Sequence, residues 1–145
     1  MLSRKNHRRG CPMGIAENKN IVLSFVEALS SGNLEAAKAA FADDATWWIP
    51  GSLPVSGTHR GKKAIFEDFL GQAAPLFQPN SLSIQVRNAI GEGDMVAVGW
   101  IARGKSAKGK NYENYYHLMF EVKNGKIQAI REYVDTLYAK EVLFS

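Results

Sequence analysis

Few side chains in this 145-residue chain are placed to do chemistry. The histidines are His7, His59 and His117, the one cysteine is Cys11, and no pair has the spacing of metal ligands. No serine or cysteine stands in a nucleophile motif. No glycine-rich loop follows a strand and opens a helix, so a nucleotide cofactor has no cradle. Proton transfer remains, with no metal or cofactor expected. His117 and Glu132 sit on two strand-like runs, Tyr112 to Val122 and Lys126 to Val134, on either side of Asn124-Gly125. An imidazole beside a carboxylate in an apolar cavity is an acid/base pair, because burial and the neighbouring charge move both pKa values toward working pH.

Whether the two groups meet depends on the turn. Asn-Gly between strands favours a two-residue type I′ hairpin, since both central residues need positive φ. Lys123 then faces Lys126, and counting back sets His117 opposite Glu132, Met119 opposite Ile130 and Tyr115 opposite Val134 on one face. The other face carries Tyr116 with Tyr133 and Asn114 with Asp135. A three-residue loop with a bulge instead sets His117 opposite Arg131. Cross-strand opposite charges also simply hold sheets together, which is the competing reading of the pair.

The elements that must position these groups follow from periodicity. Ile21, Val22, Phe25, Val26 and Leu29 form one apolar stripe, which predicts a helix ending at Ser30-Ser31-Gly32. Asn33 can cap a second helix through Leu34, Ala37, Ala40 and Phe41. Thr46 to Ile49, closed by Pro50-Gly51, reads as a short strand, and Lys62 to about Phe77 as a third helix. Leu82 to Asn88, Met95 to Arg103 and the two runs above complete an antiparallel meander, giving an α+β domain.

With 46% hydrophobic and 22% charged residues, the chain reads as one domain able to bury a core and a modest cavity. The formal charge of +4 comes from Arg4, Lys5, Arg8 and Arg9, so the remainder nets to zero. We expect a basic tail over 1–16, with Met13 as the natural initiator, and a single domain over 17–145. Balanced charge argues against nucleic-acid binding. No stretch approaches the roughly 20 apolar residues of a membrane span, so a cytoplasmic protein is expected.

The run IVLSFVEALSSGNLEAAKAAFADDATWWIPG, followed by SGTHRGKKAIFEDF, resembles the opening of ketosteroid isomerase-like proteins. The ending GKIQAIREYVDT resembles the last strand of SnoaL-like polyketide cyclases and of limonene epoxide hydrolase. All belong to the nuclear transport factor 2-like superfamily, and the resemblance spans about residues 18 to 138. It implies a cone: a curved antiparallel sheet wrapped over three N-terminal helices, with an apolar pocket at one end. Ketosteroid isomerase uses an aspartate base with a tyrosine and a protonated aspartic acid as donors. The tyrosine matches Phe25, the base matches Ile49, and the remaining donor matches His117, give or take one residue for hairpin length. The epoxide hydrolase's middle-strand arginine and aspartate fall on Gly99 and Ile101, and its last aspartate on Glu132. SnoaL-like cyclases likewise place an acid on this strand and a histidine on the one before.

The resemblance therefore implies Glu132 and His117 as catalytic residues, acting on a small hydrophobic ligand held by Phe25, Trp47, Ile49, Tyr115, Met119, Ile130 and Val134. Adjacent tryptophans on a strand point to opposite sides, and the position of Ile49 puts Trp47 on the pocket side. Trp100, Tyr116 and Tyr133 then lie on the outer sheet face, where exposed aromatics imply a homodimer packed sheet to sheet. Asp135 reads as a helix cap or outer-face ion pair. Binding without turnover, or a dimeric interaction module, are the other functions the same fold can serve.

Overall fold

The computed structural model describes residues 14–145. The expectations placed on the basic tail, His7, Cys11 and Met13 lie outside the described residues.

Helix α1, Ile15–Ser31, buries Val22, Phe25 and Val26 along its apolar stripe. It stops where the sequence predicts, at Gly32, whose φ of 76° lets its N–H reach back to the carbonyls of Ala28 and Leu29. Asn33 caps α2, Leu34–Ala39, by accepting a hydrogen bond from the Ala36 amide. Phe41 does not extend this helix as its spacing suggested. It opens strand β1, Phe41–Ile49, and packs its ring edge-on against Phe25 at 5.0 Å. A short strand β2, Gly57–Arg60, lies between β1 and the third helix, where the sequence reading places no element. The third helix, α3, is composite: an α-turn Gly61–Lys63, a π-helical segment Ala64–Phe69, an α-turn Leu70–Ala73 and a 3-10 turn Ala74–Leu76.

Four long strands follow: β3 (Ser83–Glu92), β4 (Met95–Lys105), β5 (Asn111–Lys123) and β6 (Lys126–Val134). A final helix, α4, spans Thr136–Leu143 and begins with Asp135 accepting a hydrogen bond from the Tyr138 amide at 3.0 Å, the cap read from the sequence. The sheet order is β2-β1-β6-β5-β4-β3. Every pairing is antiparallel except β1 with β6, which is parallel because the helical and meander halves meet there. Helix α1 crosses the inner face of this sheet, so the expected α+β cone forms. No helix among the described residues is long and apolar enough to cross a membrane.

The β5–β6 hairpin decides which side chains share the interior. Asn124 and Gly125 have φ of 52° and 74°, as a type I′ turn requires, and Lys123 faces Lys126 as counted. One step further the register breaks. Val122 pairs with Ile127 but Glu121 pairs with Ala129, so Gln128 is an extra residue, a β-bulge in β6. A slip of one residue turns every later side chain to the other face. Glu132 therefore pairs with Leu118, and His117 with Tyr133. Neither the His117–Glu132 nor the His117–Arg131 pairing forms.

Candidate functional site

The interior face of β5 is Tyr112, Asn114, Leu118, Phe120 and Val122, all buried, with Tyr116 between them half-buried. On β6 it is Ile127, Ile130, Glu132 and Val134, and on β4 Val96, Val98, Trp100 and Ala102. These strands, α3, the β1–β2 loop and the C-terminal segment enclose a cavity of about 130 Å³. Its wall is almost wholly apolar, with Leu53 and Val55 from the β1–β2 loop and Leu143 and Phe144 from the C-terminus. The polar exceptions are the Glu132 carboxyl, the indoles of Trp47 and Trp100, and the hydroxyls of Tyr112 and Tyr116.

Trp47 sits between Phe25, at 6.1 Å, and Phe69, at 5.0 Å, with both rings edge-on, and pairs across the parallel seam with Ile130. Its neighbour Trp48 points to the outer face, as adjacent strand residues must, and meets Tyr133 edge-on at 5.5 Å. His59 stacks on Phe69 at 5.1 Å, and its Nε2 lies 2.7 Å from the Val55 carbonyl oxygen. A carbonyl can only accept, so that nitrogen carries the proton and the ring is committed to holding the β1–β2 loop.

Glu132 is 7% exposed and forms no ion pair among the described residues. Among the described residues no lysine or arginine lines the cavity to stabilise its charge. Burial accordingly raises its pKa from 4.5 to about 7, an effect the nearby Trp47 N–H partly offsets. The ring nitrogens of Trp47 and Trp100 are buried with no full hydrogen-bond partner among the described residues. A carboxyl with its pKa raised to about 7 can serve as acid or base near neutral pH, and the two indole N–H groups lie in the same cavity wall.

The tyrosines form a chain. Tyr112 and Tyr116 hydroxyl oxygens are 2.6 Å apart, and Asn114 Nδ2 donates to Tyr112 Oη at 3.0 Å. Burial raises the pKa of Tyr112, and raises that of Tyr116 well above the ordinary tyrosine value, with the charge of Glu132 adding to both. Both hydroxyls therefore keep their protons at any working pH.

Of the residues expected at the site, Glu132, Trp47, Ile49 and Val134 line the cavity. Phe25 and Ile130 are buried beside Trp47 in the core without lining it. Tyr115, His117 and Met119 are not in the pocket, because the Gln128 bulge turns them to the outer face. There Tyr115 and His117 line a shallow groove with Arg87, Asn88 and Tyr133. The same bulge brings Trp100 and Tyr116, expected on the outer face, into the interior, leaving Tyr133 as the one member of the expected dimer face that stays outside. Gly99 and Ile101 lie opposite His117 and Tyr115, so Trp100 between them takes the inward place. Sequence reasoning missed Trp100, Tyr112 and Tyr116. The signal lay in β5, where Leu118, Phe120 and Val122 alternate with His117, Met119 and Glu121, marking the even-numbered side as buried.

No cluster of histidine, cysteine, aspartate and glutamate that could hold a metal occurs among the described residues. A family profile described as SnoaL-like domain matches residues 22–130. Among solved structures, an NTF2-like protein of unknown function from Burkholderia pseudomallei K96243 is similar, with a TM-score of 0.82 at 18% identity, over 92% of this chain and 100% of that one. An NTF2-like protein from Burkholderia xenovorans LB400 is 30% identical, with a TM-score of 0.74, over 90% of this chain and 98% of that one. A protein from Jannaschia sp. CCS1 assigned as a SnoaL-like polyketide cyclase is 17% identical, with a TM-score of 0.73, over 92% and 97%. A search among curated proteins finds no match.

Proposed function

The chain belongs to the SnoaL-like domain family, and from that premise we propose that it is a cofactor-independent acid/base enzyme acting on a small hydrophobic molecule in the interior cavity. One observation carries the reading: a carboxyl, Glu132, is buried in an apolar cavity with no counter-charge among the described residues, and that burial raises its pKa to about 7. Such an isolated carboxyl is costly for folding and well matched to proton transfer near neutrality. A cavity of about 130 Å³ suits a ligand of about one ring, comparable with the roughly 150 Å³ apolar cavity that admits benzene.

In this reading Glu132 removes a proton from carbon next to a carbonyl, the electron pair moves onto the carbonyl oxygen, and the protonated carboxyl returns the proton elsewhere on the same molecule. An isomerisation or ring closure of this kind is redox-neutral. The cavity's N–H and O–H donors supply stabilisation for the negative oxygen within an almost wholly apolar wall. The Jannaschia neighbour's assignment as a polyketide cyclase accords with this chemistry. His117, on the outer face, has no part in it. Self-association is carried forward on the outer sheet face, where Tyr115 and Tyr133 are more than half exposed.

The test is native mass spectrometry of protein purified from its source, to find a co-purified small molecule, followed by turnover of that molecule by wild type and Glu132→Gln. The proposal expects turnover to fall at least a hundredfold while binding survives. Unchanged turnover refutes the acid/base role. Binding with no turnover by either protein identifies a carrier of the same fold.

A further inference from the structure

The hydroxyl chain beside Glu132 has a direction, and the direction is set by one buried amide. Asn114 is 3% exposed. Its Oδ1 accepts from the Tyr115 amide at 2.9 Å, and its Nδ2 donates to the Asp135 carbonyl and to Tyr112 Oη, each at 3.0 Å. Rotating the amide by half a turn would point its oxygen at the Asp135 carbonyl and its NH₂ at a backbone N–H, losing both bonds. The orientation is therefore fixed, and Tyr112 must accept from Asn114.

Two hydroxyl protons then share one bond between Tyr112 and Tyr116, so one proton has no acceptor among the described residues. A hydroxyl that already accepts a hydrogen bond is the better donor, because each bond in a chain polarises the next. The polarity favoured by the Asn114 bond has Tyr112 donating to Tyr116, which leaves the uncommitted proton on Tyr116. Tyr116 lines the cavity and pairs with Val134, two residues along the same face from Glu132. We infer that Tyr116 donates the hydrogen bond that holds the oxygen of the cavity's ligand, and that Asn114 is a positioning residue that aims this donor through Tyr112. The inference rests on the reading of the cavity as a ligand site. It identifies the ligand atom that the site selects: an uncharged or delocalised acceptor oxygen, carbonyl or enol, since no cationic side chain among the described residues lines the cavity for a carboxylate or phosphate.

Acetophenone labelled with ¹³C at its carbonyl is a probe of matching size. Its affinity is measured by calorimetry, and its C=O stretch by infrared difference spectroscopy. Bound to wild type, the stretch should lie below its value in an apolar solvent. Tyr116→Phe, which keeps the ring and removes the donor, should return the stretch toward the apolar value and weaken binding about three- to tenfold. Tyr112→Phe interrupts the chain without disturbing the Asn114 bond to Asp135, and should give an intermediate stretch. Asn114→Leu should do the same, and Tyr112→Phe carries the test should that variant fail to fold. Glu132→Gln leaves the donor chain intact and should retain the lowered stretch. A stretch and affinity unchanged in Tyr116→Phe overturn the inference while leaving the acid/base reading of Glu132 standing. Failure of wild type to bind acetophenone at millimolar concentration overturns the ligand-site reading and this inference together.

Discussion

Replacing Glu132 by glutamine should alter the pH dependence of stability in a way no exposed carboxylate can. The folded protein raises the pKa of this group from 4.5 to about 7. Below pH 4.5 the group is protonated in both folded and unfolded chains and costs nothing. Between pH 4.5 and 7 the unfolded chain releases the proton and the folded chain holds it. Stability then falls by about 1.4 kcal/mol per pH unit, and the loss is complete once pH passes the folded value. The total is about 3 kcal/mol, a sizeable fraction of the stability of a domain of this length. Glutamine has nearly the same shape and no proton to release. The assay is urea denaturation of wild type and Glu132→Gln from pH 4 to 9. Subtraction of the two curves removes the contributions of exposed groups such as Asp44 and Glu113, whose pKa values are lowered chiefly by their hydrogen bonds to Gln128 and Arg103. The difference should move in favour of the variant by about 3 kcal/mol between pH 4.5 and 7 and then level off. A difference that stays flat across this range refutes the claim that the carboxyl is buried without a counter-charge.

Three further outcomes follow from named contacts. Asp135→Ala removes the cap of α4 and should cost about 1 kcal/mol, read by chemical denaturation, with faster amide hydrogen exchange concentrated in Thr136–Leu143. His117→Ala, on the outer face, should leave the Glu132 titration and any turnover within twofold of wild type, checked by NMR and by the activity assay. The paired substitution of Tyr115 and Tyr133 by glutamate should shift a dimer to monomer in analytical ultracentrifugation without changing the circular dichroism spectrum.

Most of the scaffold was legible because it rests on local physics. The apolar stripe of α1, the stop at Gly32, the cap at Asn33, the turn at Asn124-Gly125 and the Asp135 cap each depend on neighbours within a few residues. Phe41 was misread as helical because its spacing from Ala37 fits a helix, while its burial against Phe25 is a long-range contact that short-range pattern does not encode. Glu132 and Trp47 line the cavity whereas His117 lies on the outer face, and the cause is one residue. A bulge at Gln128 inverts the pairing of everything beyond it, and counting from the turn cannot see it. The trace it left is the spacing of three between Ile127 and Ile130, both fully buried, where an unbroken strand would put them on opposite faces. With that correction the polar groups that share the cavity with Glu132 are two indole N–H groups and a tyrosine pair in place of an imidazole.

The proposed chemistry depends on the state of one carboxyl group. Protein labelled with ¹³C at glutamate Cδ, with Glu132→Gln used to assign the resonance, gives its titration directly by NMR. Burial should set its midpoint near pH 7, apart from the other glutamates, with a further displacement when a ligand fills the cavity. A Glu132 midpoint of about 5 or below, among the exposed carboxylates, would contradict it.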